Sequence, residues 1–150
     1  MKRILFVCHG NICRSPMAEF VMRHLIREAG LADRVSVTSR ALHTDEIGSD
    51  THHGTRAELD AHAIPYEKRS AALMTRADYD AYDIIIAMDT ENMHDLARRT
   101  GGDPKGKVHR LLSYIGESRD VADPWYTGNF DETYRDVDAG CRALLTELKN

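Results

Sequence analysis

The sequence has few cysteines, no long hydrophobic run and no concentration of basic charge, and each absence excludes a class of protein. Three cysteines in 150 residues are too few for the disulfide framework of a small secreted domain. No apolar stretch approaches the roughly 20 residues of a membrane-spanning helix. The formal net charge is −4, and there is no basic stripe of the kind that binds nucleic acid. We therefore expect a cytoplasmic protein that binds neither a membrane nor nucleic acid.

The first residues start like a secretory signal peptide, because Lys2 and Arg3 precede a short apolar run, Ile4–Val7. That run is too short for the hydrophobic part of a signal peptide, and polar residues follow it from His9 onward. We interpret the run as a buried β-strand. The length predicts a single domain over residues 1–150, and we expect a monomer or a weak dimer.

Hydrophobic periodicity alternates along the chain between the period of strands and that of helices. The predicted strands lie at 4–7, 35–39, 84–88 and 108–112. The predicted helices run from the region of residue 14 to about Gly30, and over about 51–62, 90–100 and 134–148. We therefore predict a three-layer α/β/α fold with a four-stranded parallel sheet in a flavodoxin-like arrangement. Ligands of such folds bind beyond the carboxyl ends of the strands.

The loop after the first predicted strand has the composition of a phosphate-binding loop with a nucleophile at its base. Gly10 and Asn11 tolerate a positive φ, so the loop can turn its N–H groups inward. These groups and the following helix N-terminus favour an anion and a thiolate. We predict that Cys8 is the nucleophile and that Arg14 binds two phosphoryl oxygens. The other predicted phosphate- and substrate-binding residues of the loop are His9, Gly10, Asn11, Ile12, Cys13 and Ser15.

At these residues the chain resembles the low-molecular-weight protein tyrosine phosphatases. The stretch Cys8–Glu19 carries the resemblance, and Asp123-Pro124-Trp125-Tyr126 is a second match. The resemblance implies phosphotyrosine-containing protein substrates. Attack by Cys8 would give a phosphocysteine intermediate, and we expect no cofactor. The resemblance also implies that Asp123 is the general acid that protonates the leaving tyrosine, whose pKa is about 10. Trp125 and Tyr126 would form an aromatic wall of the substrate slot.

Several residues around the loop are expected to support it. We expect Ser15 to cap the first helix and to donate a hydrogen bond to the Cys8 sulfur. The resemblance implies that Asn11 holds the loop by bonding to Ser39. Two interpretations of Cys13 stay open: it can trap an oxidised Cys8 as a disulfide, or it can pack beneath the loop.

The chain departs from the family pattern at three places, one of which is Thr38-Ser39 in place of an Asp-Ser pair in the second strand. Asp45 stands where eukaryotic members usually have an aromatic residue in the wall of the slot, and we expect it to border the substrate and repel acidic flanking residues. The region 68–72 lacks the His-x-Ala-Arg stretch of many members. The eight histidines include no pair with the spacing of metal ligands on one helix face, so we predict no metal site.

Three alternative functions use the same fold or loop. An arsenate reductase would need relay cysteines in the middle of the chain, and no cysteine lies between Cys13 and Cys141. A protein-arginine phosphatase would carry Thr at the position of Ile12. A non-catalytic phosphate-binding module would be expected to lose Cys8, Arg14 or Asp123, all of which are present. The apolar spacing of the last helix places Cys141 in the core.

Overall fold

Four strands and seven helical segments alternate along the chain. A computed structural model describes residues 1–150. Its strands are β1 (Lys2–Cys8), β2 (Val35–Ala41), β3 (Ile84–Ala87) and β4 (Val108–Arg110). Its α-helices are α1 (Arg14–Glu28), α2 (His53–Ala61), α3 (Arg76–Ala81), α4 (Thr90–Thr100), α5 (Pro124–Thr127) and α6 (Phe130–Lys149), and a 3-10 helix covers Leu111–Ile115. No helix is both long enough and apolar enough to span a lipid bilayer.

The four strands form one parallel sheet in the order β2-β1-β3-β4. β1 pairs along its whole length with β2 and over three residues with β3, so it lies at the centre. After β1 the chain forms β2 on one side of β1 and later forms β3 on the other side. The order of strands in the sheet therefore changes direction beside the end of β1. The predicted fold is confirmed, and the loop after β1 lies where α/β sheets bind ligands.

Side chains of β1 alternate between two buried faces of the sheet. Ile4 and Phe6 join the larger hydrophobic cluster together with residues of α1 and α6, whereas Leu5 and Val7 join a smaller cluster with residues of α3 and α4. All four side chains are completely buried. This double coverage explains why Ile4–Val7 of β1 and all of β3 are apolar rather than alternating with polar residues.

The structure corrects the predicted end of the fourth strand. β4 stops at Arg110, and the segment that follows is helical. Leu111 and Leu112, which read as strand residues, are both buried, because the 3-10 helix packs against α6. The short helices α3 and α5 are also absent from the predicted elements. Each begins with a residue whose side chain caps it, Thr75 for α3 and Asp123 for α5.

The contact between α6 and the 3-10 helix depends on a glycine. A Cβ atom at Gly140 would lie 2.5 Å from Cγ of Leu111, which is closer than real carbon atoms approach. The absence of a side chain at Gly140 therefore lets the two segments touch.

We predict that Gly140→Ala lowers the free energy of unfolding by about 1–3 kcal/mol, because Leu111 must move to make room. Alanine is intrinsically better than glycine in a helix by about 1 kcal/mol, so a purely local effect would have the opposite sign. Urea denaturation measures the change. In a Leu111→Ala background the same substitution should become neutral or stabilising, and a stabilising effect in the native background would contradict the proposed packing.

Candidate active site

The loop between β1 and α1 curls around the sulfur of Cys8. Asn11 has a φ of 61°, the left-handed conformation that reverses the chain. Its backbone N–H donates to the Cys8 sulfur at 3.3 Å, and the Ser15 hydroxyl oxygen lies 3.0 Å from that sulfur. Cys8 itself is only 3% exposed, so the sulfur lies at the bottom of the loop with hydrogen-bond donors around it.

The expected helix-capping role of Ser15 is wrong. The N-cap residue of α1 is Cys13, which makes no side-chain capping bond, and Ser15 is the second residue of the helix. Its side chain is completely buried and turns toward the loop, where its hydroxyl accepts a hydrogen bond from Asn11 at 2.8 Å. Ser15 therefore forms hydrogen bonds within the loop and does not cap the free N–H groups at the start of α1.

The side chain of Asn11 is the centre of a hydrogen-bond network beneath the loop. Its amide nitrogen donates to the hydroxyl of Ser39 at 2.9 Å, the bond that the sequence predicts. Its side-chain oxygen accepts from the Arg69 guanidinium and from the backbone N–H of Ala72. A second nitrogen of Arg69 donates to the backbone carbonyl of Asn11 at 2.9 Å. Every polar atom of the Asn11 side chain thus has a partner that holds the left-handed turn.

Two supporting residues were not predicted from the sequence. Arg69 lies in the region where the family's His-x-Ala-Arg stretch is missing, yet it reaches the loop across 58 residues of sequence. Glu19 on α1 accepts a hydrogen bond from Ser39 at 2.5 Å and pairs with Arg23. Neither residue could be found from a short sequence motif. The Arg69 and Ser39 contacts join distant segments, and the spacing of Glu19 and Arg23 is ordinary for a surface helix.

Arg14 is almost completely buried and links the loop to two carboxylates. One guanidinium nitrogen donates to Asp89 at 2.7 Å and to the backbone carbonyl of Val121 at 3.0 Å. The other lies 3.4 Å from a carboxylate oxygen of Asp123. Burial alone would lower the pKa of Arg14, but the negative charges of Cys8, Asp123 and Asp89 outweigh it and raise that pKa. The guanidinium therefore keeps its positive charge at the base of the loop.

A cleft of about 380 Å³ opens above the loop. Most of the predicted site residues line it: Cys8, His9, Gly10, Ile12, Cys13, Arg14, Asp45, Asp123, Trp125 and Tyr126. The predicted residues Asn11, Ser15 and Ser39 lie beneath the loop, where they are buried. Three further acidic residues line the cleft without having been predicted: Glu46, Asp89 and Glu91. One buried arginine therefore faces five carboxylates around the opening.

The segment that carries Asp123 forms one wall of the cleft. One carboxylate oxygen of Asp123 accepts from the backbone N–H of Trp125 at 3.1 Å, which starts α5 and holds the carboxylate in place. Trp125 and Tyr126 are 57% and 84% exposed, so their rings are free to contact a ligand. The ring of His52 meets the edge of Trp125 at 5.8 Å between centroids and supports it from the side of α2.

Asp45 and Cys13 differ sharply in their surroundings. The Asp45 side chain is 65% exposed and its carboxylate lies 2.6 Å from Nε2 of His9, so it stands at the rim. Cys13 is buried, and burial, followed by the negative charges of Cys8 and Asp123, raises its pKa to about 12. The Cys13 sulfur is therefore a neutral thiol at physiological pH. Cys141 is completely buried in the main cluster, as predicted.

The family described as low molecular weight phosphotyrosine protein phosphatase matches residues 3–150 of this sequence. The chain belongs to that family. The low molecular weight protein-tyrosine-phosphatase YfkJ of Bacillus subtilis is 39% identical over 151 aligned residues, which cover 99% of this chain and 97% of YfkJ. The predicted family is confirmed, and the chain is a phosphatase.

Solved structures share the fold along nearly the whole chain. The crystal structure of YfkJ superimposes with a TM-score of 0.96 and covers 99% of this chain and 95% of its own. The low molecular weight protein tyrosine phosphatase SP-PTP from Streptococcus pyogenes is 38% identical, with a TM-score of 0.89 and coverage of 99% and 93%. The Drosophila arginine phosphatase is 28% identical, with a TM-score of 0.88 and coverage of 100% and 99%. The same fold thus occurs in proteins named as a protein tyrosine phosphatase and as an arginine phosphatase.

We predict that Arg69→Met lowers kcat/KM by about 10–100-fold. The variant loses the guanidinium that binds both oxygens of Asn11, so the backbone N–H groups of the loop shift. Inorganic phosphate should inhibit the variant correspondingly less. Lys68→Met is the matched control, because Lys68 is exposed and makes no such contact. Unchanged phosphate inhibition in a folded Arg69→Met variant would show that the loop does not need this support.

Proposed function

We propose that this phosphatase hydrolyses phosphotyrosine in protein substrates through a phosphocysteine intermediate. The observation that supports this most directly is the convergence of Cys8, Arg14 and Asp123 on one cleft. Cys8 comes from the end of β1, Arg14 from the start of α1 and Asp123 from the start of α5. A nucleophile, a phosphate-binding cation and a proton donor are the three groups that the two displacements at phosphorus require.

In the first step, the Cys8 thiolate attacks phosphorus and a sulfur–phosphorus bond forms. The bond between phosphorus and the phenolic oxygen breaks, and Asp123 transfers its proton to that oxygen. Arg14 and the loop N–H groups bind the other phosphoryl oxygens and stabilise their charge. Because Arg14 lies between the loop and Asp123, it places the phosphoryl group and its leaving oxygen beside that carboxyl, within reach of its proton.

In the second step, water attacks phosphorus and releases inorganic phosphate. Asp123, now a carboxylate, accepts the proton of this water, and the sulfur–phosphorus bond breaks. The departing sulfur regains its negative charge as a thiolate. The N–H of Asn11 and the hydroxyl of Ser15 lie within hydrogen-bond distance of that sulfur and stabilise the leaving thiolate.

The depth of the cleft favours a long, flat side chain. Cys8 lies at its bottom, whereas Trp125 and Tyr126 stand exposed at its mouth. A phosphotyrosine ring spans this distance and stacks on the aromatic wall, which contributes about 0.5–1.5 kcal/mol. A phosphoserine is too short to reach the sulfur from the same position. Ile12 keeps one side of the slot apolar.

Phosphoarginine is the second candidate substrate, and the charge of the cleft favours it. Asp45, Glu46 and Glu91 line the opening, and carboxylates attract a guanidinium group. The likeness in structure to the Drosophila arginine phosphatase points the same way. Against this, Ile12 supplies no hydrogen-bond acceptor to a guanidinium inside the slot, and the aromatic wall suits a ring. We therefore place phosphotyrosine first.

The deciding experiment compares kcat/KM for phosphotyrosine, phosphoserine and phosphoarginine in peptides of identical flanking sequence. We expect clear preference for phosphotyrosine. In Cys8→Ser, turnover should be lost while phosphate binding persists, and Cys141→Ala should serve as the matched control that stays active. Preference for phosphoarginine would replace the proposed substrate and keep the mechanism, whereas substantial turnover by Cys8→Ser would remove the proposed nucleophile.

We predict that Asp123→Asn reduces kcat by about 10²–10⁴-fold for a phenolic ester with a poor leaving group. Asparagine retains the oxygen that caps α5, so the variant removes the proton and leaves the local fold in place. The loss should be much smaller for 4-nitrophenyl phosphate, whose leaving group needs little protonation. Asp120→Asn, on the same segment but bonded to Thr90, is the control. Equal losses for the two esters would exclude Asp123 as the acid.

We also propose that the enzyme works in the reducing cytoplasm and that Cys13 protects an oxidised Cys8. Peroxide converts the Cys8 thiolate to a sulfenic acid, and the Cys13 thiolate then attacks this sulfur to form a disulfide, with hydroxide leaving. The pKa of Cys13 near 12 makes the attacking thiolate scarce at neutral pH. Slow trapping leaves time for further oxidation to the sulfinic acid.

The share of disulfide among the oxidised products of Cys8 should therefore rise as the pH increases from about 7 to 9, because more of Cys13 is ionised. Peptide mapping after peroxide treatment and alkylation measures this share. Cys13→Ser should recover less activity with thiol reductant than the native enzyme. If no Cys8–Cys13 disulfide is found at either pH, Cys13 serves packing alone.

A further inference from the structure

Three residues that follow three neighbouring strands meet at the rim of the cleft. His9 comes directly after β1, His43 follows the end of β2, and Glu91 lies in the first turn of α4, after β3. Because the sheet order is β2-β1-β3, His9 lies between the other two. One ligand atom from each residue lies within 4.8 Å of the others, and the two imidazole rings stack with centroids 4.1 Å apart.

Each imidazole is also oriented by a carboxylate on its far side. Nε2 of His9 lies 2.6 Å from Asp45, and Nε2 of His43 lies 2.8 Å from Asp95. Nδ1 of His9 faces Glu91 at 4.0 Å. In metalloproteins, a histidine that binds a metal through one nitrogen usually donates its other N–H to a carboxylate, which fixes the ring and makes it a stronger ligand. Both histidines here have that outer partner.

We propose that His9, His43 and Glu91 form a binding site for Zn²⁺ or a divalent transition metal of similar preference. Two imidazoles and one carboxylate are a ligand set that zinc accepts, with a fourth position open to water. Ligand atoms around a tetrahedral zinc lie roughly 3.4 Å apart, as bond lengths near 2.1 Å require. The side chains are 40%, 37% and 72% exposed, so they can rotate to close the remaining distance.

Local charge also favours a cation at this position. Asp45 stands beside His9, and Asp95 stands beside His43. The arginine that contacts this group is Arg98, which pairs with Asp95. Glu91 is paired with no arginine or lysine; its one ion-pair contact is His9, at 4.0 Å. The sequence hides this cluster, because its three ligands lie on separate loops and show none of the short spacings that mark most metal sites.

The proposed metal site shares the rim of the catalytic cleft, because His9 and Glu91 both line it, but metal binding can be measured without turnover. The alternative is that His9 only makes polar contacts with Asp45 and Glu91 and that the cluster has no affinity for metal. A zinc titration must avoid the Cys8 thiolate, which is itself a good zinc ligand. The experiment therefore uses Cys8→Ser protein, with Zn²⁺ binding followed by calorimetry and Co²⁺ binding followed by visible absorption.

We expect one Zn²⁺ per chain in Cys8→Ser, and a Co²⁺ spectrum of the intense kind that four-coordinate sites give. Adding His43→Gln or Glu91→Gln should weaken binding by at least about tenfold. Adding His94→Gln, an exposed histidine on α4 outside the cluster, should leave binding unchanged. Absence of binding in Cys8→Ser, or equal affinity in the His43→Gln variant, would overturn the site.

Discussion

The left-handed turn at Asn11 is the constraint on which the site depends. A non-glycine residue with positive φ is strained unless its surroundings hold it, and here four other residues do so from separate parts of the chain. Ser39 comes from the second strand, Arg69 and Ala72 from the segment before α3, and Ser15 from the first helix. Because the same turn points the Asn11 N–H at the Cys8 sulfur, the network that relieves the strain also defines the position of that sulfur.

The sheet places this turn where its chemistry is possible. β1 is covered on both faces, so its last residue, Cys8, emerges from the core at a fixed point. The change of chain direction beside β1 opens a space between the loops that follow β1, β2 and β3. Arg14 then spans that space to Asp89 and to the segment of Asp123. The central strand therefore supplies the proposed nucleophile, and a surface segment supplies the proposed proton donor.

The fold and most of the residues that line the cleft could be predicted from local sequence patterns. The contacts that support the loop and Arg14 could not. Cys8, Gly10, Asn11 and Arg14 occur within seven residues, so their spacing alone indicates a phosphate loop. Arg69 and Asp89 act through contacts that span 58 and 75 residues of sequence, which no periodicity records. The strand prediction through Leu112 was wrong because packing against the distant α6 determined the local conformation. The helix cap at Ser15 was wrong because its hydroxyl makes hydrogen-bond contacts with Asn11 and Cys8 of the adjoining loop.

The pairing of Arg14 with carboxylates has a consequence for the end of each catalytic cycle. A buried guanidinium with no partner would hold phosphate tightly, since leaving would strand an unsolvated charge. In this enzyme Asp89 is already in contact, and Asp123 lies close enough to follow. Under the mechanism we propose, phosphate departure therefore exchanges one anion for another within the same electrostatic environment. We expect the affinity for product to be a small difference between two similar interactions, so that phosphate leaves readily before the next substrate binds.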